Sequence, residues 1–345
     1  MTDDLQLITT PWTSPPEIGS AVEVAKGVFW VRLPLPMKLD HVNTYVLDDG
    51  NSWTVVDTGM GSDKTRQIWR DLLGGVFSQK SVGRVIITHH HPDHIGLAGW
   101  FQSEFNAELW TTRTAWLMAR MLCLDVQKTP PPETLRFWQR SGMAQDIIDE
   151  RANGKPFNFA DAVHPMPLGF HRIQQDDVIE IGGRHWQVHI GHGHAPEHAT
   201  LWNSSDNLVL AGDQIISSIS PNLGVYATEP EADPVGDWFE SCGRLAKLAH
   251  PDQLVLSGHK LPFKGLPFRF KHMIENHHSA LERLIAFLDQ PKAATECFQP
   301  LFKRRIGADE YGLALVEAVA HLNHLYLKGD VTRRLDPDGV YRYHR

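Results

Sequence analysis

Short apolar runs separated by turn signals fill most of the first half of the chain. Residues 27–33 (GVFWVRL) and 42–47 (VNTYVL) have strand length and are rich in β-branched and aromatic side chains. Asp48-Asp49-Gly50-Asn51 supplies hairpin turn chemistry, and 53–56 (WTVV) returns as a strand that ends in Asp57-Thr58-Gly59. The spacing then predicts a helix over about 62–73 with Ser62 as its N-cap. Residues 82–87 (VGRVII) form a buried strand, a histidine cluster follows at once, and helical spacing resumes from Ile95.

Between about 112 and 170 the pattern turns helical, rich in Met, Trp, Leu and Phe and broken by Pro130-Pro131-Pro132. Strands return at 178–181, 184–190, 208–211 and 254–256, each ending in a turn or a polar loop. After Leu261 the apolar spacing is helical at 270–288, 293–302 and 311–327. A closing hairpin, 331–334 with 340–344, turns through Asp336-Pro337-Asp338-Gly339. The pattern predicts an α+β chain in two parts: a larger domain over 1–262 with a helical insertion at about 112–170, and a small winged-helix-like module over 263–345. A chain of 345 residues is long enough for more than one core.

Charge and cysteine content narrow the setting. The net charge of -8 argues against a general nucleic-acid coat. Residues 263–345 hold 13 Lys+Arg against 10 Asp+Glu, so this part carries +3 and the remainder -11. Lys303-Arg304-Arg305 is a compact basic run, yet +3 is weak beside the phosphate contacts that nucleic-acid binding needs. The first residues lack the basic start and apolar core of a signal peptide, and no stretch approaches the ~20 apolar residues of a membrane span. Cys123, Cys242 and Cys297 are far apart, which fits free thiols in a cytoplasmic protein.

Histidine changes the picture most, with 20 in the chain and many in clusters. Thr88-His89-His90-His91-Pro92-Asp93-His94 follows one strand. Gly191-His192-Gly193-His194-Ala195-Pro196-Glu197-His198, Gly212-Asp213 and Ser257-Gly258-His259 each follow another. Imidazole and carboxylate suit zinc, and also iron or manganese. Strand ends fixed by a core can hold such groups to a tight tolerance. Spacing alone leaves His192, His194 and His198 as equal candidates.

The order T-H-x-H-x-D-H, H-x-P-x-H, G-D and S-G-H, with Val56-Asp57-Thr58-Gly59 upstream, resembles the metallo-β-lactamase superfamily over roughly residues 20–262. The resemblance implies a four-layer αββα sandwich with two divalent metal ions, zinc by preference, at one edge of the sheets. It places His89, His91 and His198 on one metal, Asp93, His94 and His259 on the other, and Asp213 between them. His198 is selected as the last histidine of an element similar to H-T-P-G-H, although Glu197 stands where the family usually has Gly. Asp57 and His194 are implied to orient the ligands, and Asp93 to help with proton traffic. Two cations about 3.5–4 Å apart can share a water and lower its pKa toward neutrality.

His91 and Asp213 separate the chain from the flavodiiron branch, which has Glu, and from the zinc β-lactamases, which place Cys. The motif set is also similar to glyoxalase II, but Gln214-Ile215-Ile216-Ser217-Ser218 departs from that group's glutathione-associated stretch. The expectation is a dinuclear-metal hydrolase acting on a thioester, ester or lactone, with a small-molecule substrate and no membrane partner. Trp116, Met118, Met121, Phe137 and Trp138 are candidates for an apolar lid, with packing on the domain's own core or on a homodimer mate as the competing reading. Other readings are a metal-dependent ribonuclease or phosphodiesterase with a nucleic-acid-contacting C-terminal module, and a non-catalytic metal-binding regulator. No substrate-binding residue is assigned.

Overall fold

The structure is a computed structural model and describes residues 7–345. Its contacts form two compact units. Unit one is Met1–Val126, Asn158–Pro221 and Leu245–Arg269; unit two is Gln127–Phe157, Asn222–Arg244 and Phe270–Arg345. A boundary at 262/263 follows the order of the sequence, whereas packing places 127–157 and 222–244 with the C-terminal residues. Hydrogen bonds show why: Thr295 Oγ1 donates to Gly142 O at 2.8 Å, and Gln139 Nε2 to Asp338 O at 3.1 Å.

Unit one is built on two sheets. The first runs β1 (Ala21–Ala25), β2 (Val28–Pro34), β3 (His41–Asp49), β4 (Ser52–Val56), β5 (Ser81–Ile86), β6 (Glu108–Thr111) and β7 (His171–Arg172), paired in that order. It is antiparallel from β1 to β4 and parallel from β4 to β7. The second sheet contains β8 (Val178–Ile181), β9 (Arg184–Gly191), β10 (His198–Asn203), β11 (Leu208–Gly212) and β12 (Leu254–Ser257), also paired consecutively, with only β11–β12 parallel.

Strand alternation explains the layering. Trp30, Tyr45, Leu47, Val56 and Ile86 of the first sheet share one buried cluster with Trp186, Val188, Leu201, Leu210 and Leu256 of the second. The opposite face of the first sheet, with Val31, Leu33, Val46, Val55 and Val85, meets Trp69 and Leu72 of α1 (Asp63–Gly74) and Phe101 of α3 (Ala98–Phe105). Each such large side chain stabilises the fold by roughly 2–3 kcal/mol when buried. Ser62 caps α1 by accepting from Thr65 N, as the sequence predicts. A one-turn helix, α2 (Pro92–Ile95), and α4 (Arg113–Leu124) complete the helices of this unit that matter for the site.

Hydrogen bonds tie the sheets at both rims. At one rim Asn43 N donates to Gly258 O at 2.6 Å, Tyr45 OH to Ser257 O at 2.8 Å, and Ala199 N to Thr88 O at 2.8 Å. At the other, Asp49 accepts from Gly182 N of the second sheet at 2.8 Å, while Thr54 Oγ1 and Arg84 Nη2 of its own sheet, each also at 2.8 Å, hold its carboxylate in place.

Unit two holds α5 (Pro132–Arg140), α6 (Gln145–Ala152), most of α7 (Pro234–Leu245) and α8 (Leu266–Phe287), then α9 (Phe298–Phe302) and α10 (Tyr311–Leu327). A hairpin of β13 (Thr332–Leu335) and β14 (Tyr341–His344) closes the chain where the sequence predicts one. Among the elements that escape the sequence reading are β1, β6, β7, β10 and α7.

The apolar-lid candidates divide. Trp116 packs against unit one's core and stacks on Phe170 at 5.0 Å, so its place is in packing. Phe137 and Trp138 belong to unit two. Among the described residues no helix is long and apolar enough to cross a membrane. The three cysteines are free thiols, with Cys242 and Cys297 buried.

Candidate metal centre

Every ligand-type cluster hangs from the end of a strand in unit one. Asp57 follows β4, His89 to His94 follow β5, and His194 follows β9. Asp213 follows β11 and His259 follows β12.

Asp57 organises the first cluster. Its Oδ1 accepts Thr88 N at 2.8 Å, and its Oδ2 accepts Thr88 Oγ1 at 2.8 Å and lies 2.8 Å from His94 Nδ1. Engaging Nδ1 leaves His94 Nε2 aimed into the cluster, where that buried atom has no hydrogen-bond partner. Thr58 pins the same turn, donating from N and Oγ1 to His94 O at 2.7 and 2.8 Å. Thr88 Oγ1 also sits 3.0 Å from His89 Nδ1, which turns His89 Nε2 toward His91. His259 is held through Nδ1, 2.8 Å from His41 O. Asn43 and Tyr45, which fix the adjacent Ser257-Gly258 backbone, went unread in the sequence. Their signal was the polar Asn and Tyr in the otherwise buried run of β3.

The ring nitrogens and carboxylates converge. His89, His91 and His194 form one group of potential ligands, and Asp93, His94 and His259 a second. His89 Nε2 and His91 Nδ1 are 3.0 Å apart. Two nitrogens on one tetrahedral zinc would stand about 3.3 Å apart. In the second group His259 Nε2 is 3.2 Å and His94 Nε2 3.6 Å from Asp93 Oδ2. Asp213 Oδ2 lies between the groups, 3.2 Å from His259 Nε2, 3.4 Å from His94 Nε2 and 3.5 Å from His194 Nε2. Its Oδ1 is buried without a hydrogen bond.

This places His194, not His198, with the potential ligands. His198 is the first residue of β10, paired with Gly191, and its Nε2 accepts the backbone N–H of Asp213 at 3.0 Å. Its ring stacks on His89 at 4.5 Å, so it supports both neighbours from behind. The sequence reading assigned no element to His198–Asn203 and so missed the strand that fixes this orientation. His194, expected only to orient other groups, is the residue that faces His91, with ring centroids 4.5 Å apart.

Glu197 stands at φ +50, the left-handed conformation that explains a preference for glycine there. Its carboxylate accepts Thr114 N at 2.8 Å in the first turn of α4, where a negative charge is favoured. Gly212 and Gly258 are required more strictly. A Cβ on Gly212, at φ +47, would lie 2.6 Å from His198 Cε1 and 2.9 Å from Thr88 Oγ1. One on Gly258 would collide with Asp213 Oδ1 and come within 2.6 Å of His94 Cε1.

Electrostatics differ across the cluster. Burial, reinforced by neighbouring imidazoles, pushes the basicity of His89 and His91 well down, leaving the neutral rings that metals bind. Burial likewise takes His198 down to about 3. On the other side burial acts downward but is outweighed: Asp213 and Asp93 raise His259 to about 10, and with Asp57 they hold His94 well above its ordinary value. The ionised Asp93 and Asp213 thus favour protons on the His94 and His259 rings, and a cation bound there would displace those protons. Unpartnered buried ligand atoms, convergent separations and glycines that leave room all fit a divalent cation in each group.

Residues 37–259 match the family model described as "Metallo-beta-lactamase superfamily", and residues 281–345 match "Metallo-beta-lactamase-like, C-terminal domain". A similar curated protein is the "Probable metallo-hydrolase YqjP" of Bacillus subtilis (strain 168), 24% identical, with 92% of this chain and 97% of that one aligned. Among solved structures, a beta-lactamase domain protein from Burkholderia ambifaria is similar at 32% identity and a TM-score of 0.90, covering 99% of both chains. The metallo-beta-lactamase family protein TTHA1429 from Thermus thermophilus is similar at 28% identity and a TM-score of 0.77, covering 93% of this chain and 99% of that one.

Proposed function

Because the chain belongs to the metallo-beta-lactamase superfamily, we propose that it is a dinuclear metal-dependent hydrolase of an ester-type carbonyl: a thioester, ester or lactone. The observation that carries this reading is the position of Asp213 Oδ2, within 3.5 Å of three imidazole nitrogens and between two groups of potential ligands. His89, His91 and His194 would hold one cation, Asp93, His94 and His259 the other, and Asp213 would reach both. When bound, such cations polarise a carbonyl oxygen and acidify water.

The chain's own residues do the rest. Asp57 and the backbone carbonyl of His41 fix the ring orientations of His94 and His259, so their Nε2 atoms stay aligned without further reorganisation. Asp93 is the most open carboxylate of the cluster, with 17% of its side chain exposed against 7% for Asp213. It is the group placed to take and return a proton, at the oxygen that does not face His94 and His259. The basic run at 303–305 lends little to the nuclease reading, because Arg304 is engaged by Glu310 at 2.7 Å.

The test is metal analysis of protein purified without chelators, followed by a panel of acyl thioesters, lactones, phosphodiesters and β-lactams. The expected result is two metal equivalents and turnover of thioesters or lactones that falls by at least about 10³-fold in His91→Ala. Turnover confined to phosphodiesters, or none at full metal occupancy, would sink the proposal.

A further inference from the structure

Gln214 directly follows Asp213, the carboxylate between the two groups of potential ligands, and is fully buried. Its backbone N donates to Ala211 O at 3.2 Å, closing the turn after β11. The side chain crosses to the end of β9, where Nε2 donates to His192 O at 3.2 Å. The amide lies against Gly191, the last residue of β9. A Cβ on Gly191 would come within 2.4 Å of Gln214 Cδ, 2.6 Å of Oε1 and 2.8 Å of Cγ, and these are the three nearest atoms it would meet. Gly191 is not among the glycines with a left-handed φ, so its missing side chain makes room for the glutamine rather than for a turn.

His192 opens the loop that carries His194. Gly193, at φ +98, turns the chain between them. Glu197 N donates to His192 Nδ1 at 3.3 Å, which closes the loop on itself, and Thr114 N of α4 donates to the Glu197 carboxylate at 2.8 Å. Gln214 therefore grips the near end of a loop whose far end is held by α4. The grip comes from the neighbour of Asp213, so it ties together the segments that supply Asp213 and His194, whose Oδ2 and Nε2 are 3.5 Å apart.

The other end of the amide has no such use. Gln214 Oε1 is buried without a hydrogen-bond partner. A buried acceptor with no donor is destabilising, and methionine, of nearly the same shape, would fill the space without that penalty. Fold stability alone favours an apolar side chain at this position. The amide is accounted for by what its N–H holds.

We propose that Gln214 is a positioning residue for metal binding: through His192 O it holds His194 beside His89 and His91. The inference rests on the dinuclear reading above. A ligand loop fixed in advance need not be ordered when a cation arrives, and that preorganisation is what Gln214 adds to affinity.

The experiment is zinc titration of the metal-free full chain, with thermal unfolding of the same samples. The unaltered chain should take up two equivalents. In Gln214→Met the affinity of one equivalent should fall about 10–100-fold, while the other changes by less than about twofold. The Tm of the metal-free variant should stay within about 2 °C of the unaltered chain, a result that a merely structural role would not give. Combined with His259→Ala, which spares the His89 group, Gln214→Met should show the whole loss; combined with His91→Ala it should show none. Gly191→Ala reaches the same amide from the other side. It should bring a similar loss in the unaltered chain and nothing further in Gln214→Ala, where the space is free. Equal weakening of both equivalents, or a fall in Tm that accounts for the lost affinity, would make Gln214 a packing residue and overturn the proposal. Two equivalents bound with unchanged affinity in Gln214→Met would overturn it alone. No zinc uptake by the unaltered chain would overturn the dinuclear reading and this inference with it.

Discussion

Replacing His194 by alanine removes a ring nitrogen from the group that also contains His89 and His91. Metal content should fall from two toward one equivalent per chain, read by elemental analysis after gel filtration. His198→Ala removes instead the acceptor for Asp213 N and the ring stacked on His89. It should keep two equivalents but lose about 2–4 kcal/mol of stability, from the cavity and the orphaned N–H. The opposite pattern would restore His198 as the ligand. Asp57→Asn is expected to lower metal affinity about 10–100-fold. An amide nitrogen cannot accept from Thr88 Oγ1 and His94 Nδ1 as Oδ2 does. Chelator competition measures this loss.

At the scale of elements, the ends of strands decide what the site tolerates. Gly212→Ala should be severely destabilising, by about 3 kcal/mol or more, because its Cβ meets both the first residue of β10 and Thr88 in a left-handed conformation. Gly243→Ala, inside α7 with open space around it, should instead stabilise by about 0.5–1 kcal/mol. Denaturant midpoints of the two variants give the comparison. In α10, burial raises Glu317 to about 7, although Asn222 Nδ2 donates to its Oε2 at 2.7 Å. Both folded and unfolded states are protonated below pH 4.5, so this group's contribution is fully present there and is lost as pH rises through 7. The loss amounts to at most about 3 kcal/mol. Glu317→Gln should flatten that part of the pH 5 to pH 8 stability difference; an unchanged difference would show that Glu317 is not its source.

The same scale shows what the sequence could and could not yield. Apolar runs at 27–33, 42–47, 208–211 and 254–256 marked their strands because burial imposes a recognisable period. The four motif segments pointed to the strand ends that now meet. His198–Asn203 was not recognised as a strand, because its first residue closes the histidine-rich motif, although all six residues are buried. His198 was selected by its likeness to H-T-P-G-H, whereas the geometry groups His194 with His89 and His91. Residues 127–157 and 222–244 were not grouped with the C-terminal segment, because the contacts that join them are long-range and leave no local pattern.

For the whole molecule, the consequence of a metal is a shift in local opening rather than a change of fold. Cation at about 100 times its Kd should stabilise the binding-competent state by about 2.7 kcal/mol. Hydrogen exchange should then slow in the loops after β5, β9, β11 and β12, with the largest change around His89 and Asp213. Identical exchange with and without saturating zinc, iron or manganese would mean that the converging side chains do not bind a cation.

Both sheets are tied at two rims, and only one rim carries the chemistry. The opposite one, where Asp49 bonds across to Gly182, also contains the exposed turn between β10 and β11 at Ser204-Ser205. A fluorescent reporter or an affinity handle spliced between those two serines would leave every histidine loop undisturbed. It would offer a way to watch or immobilise the protein while it turns over.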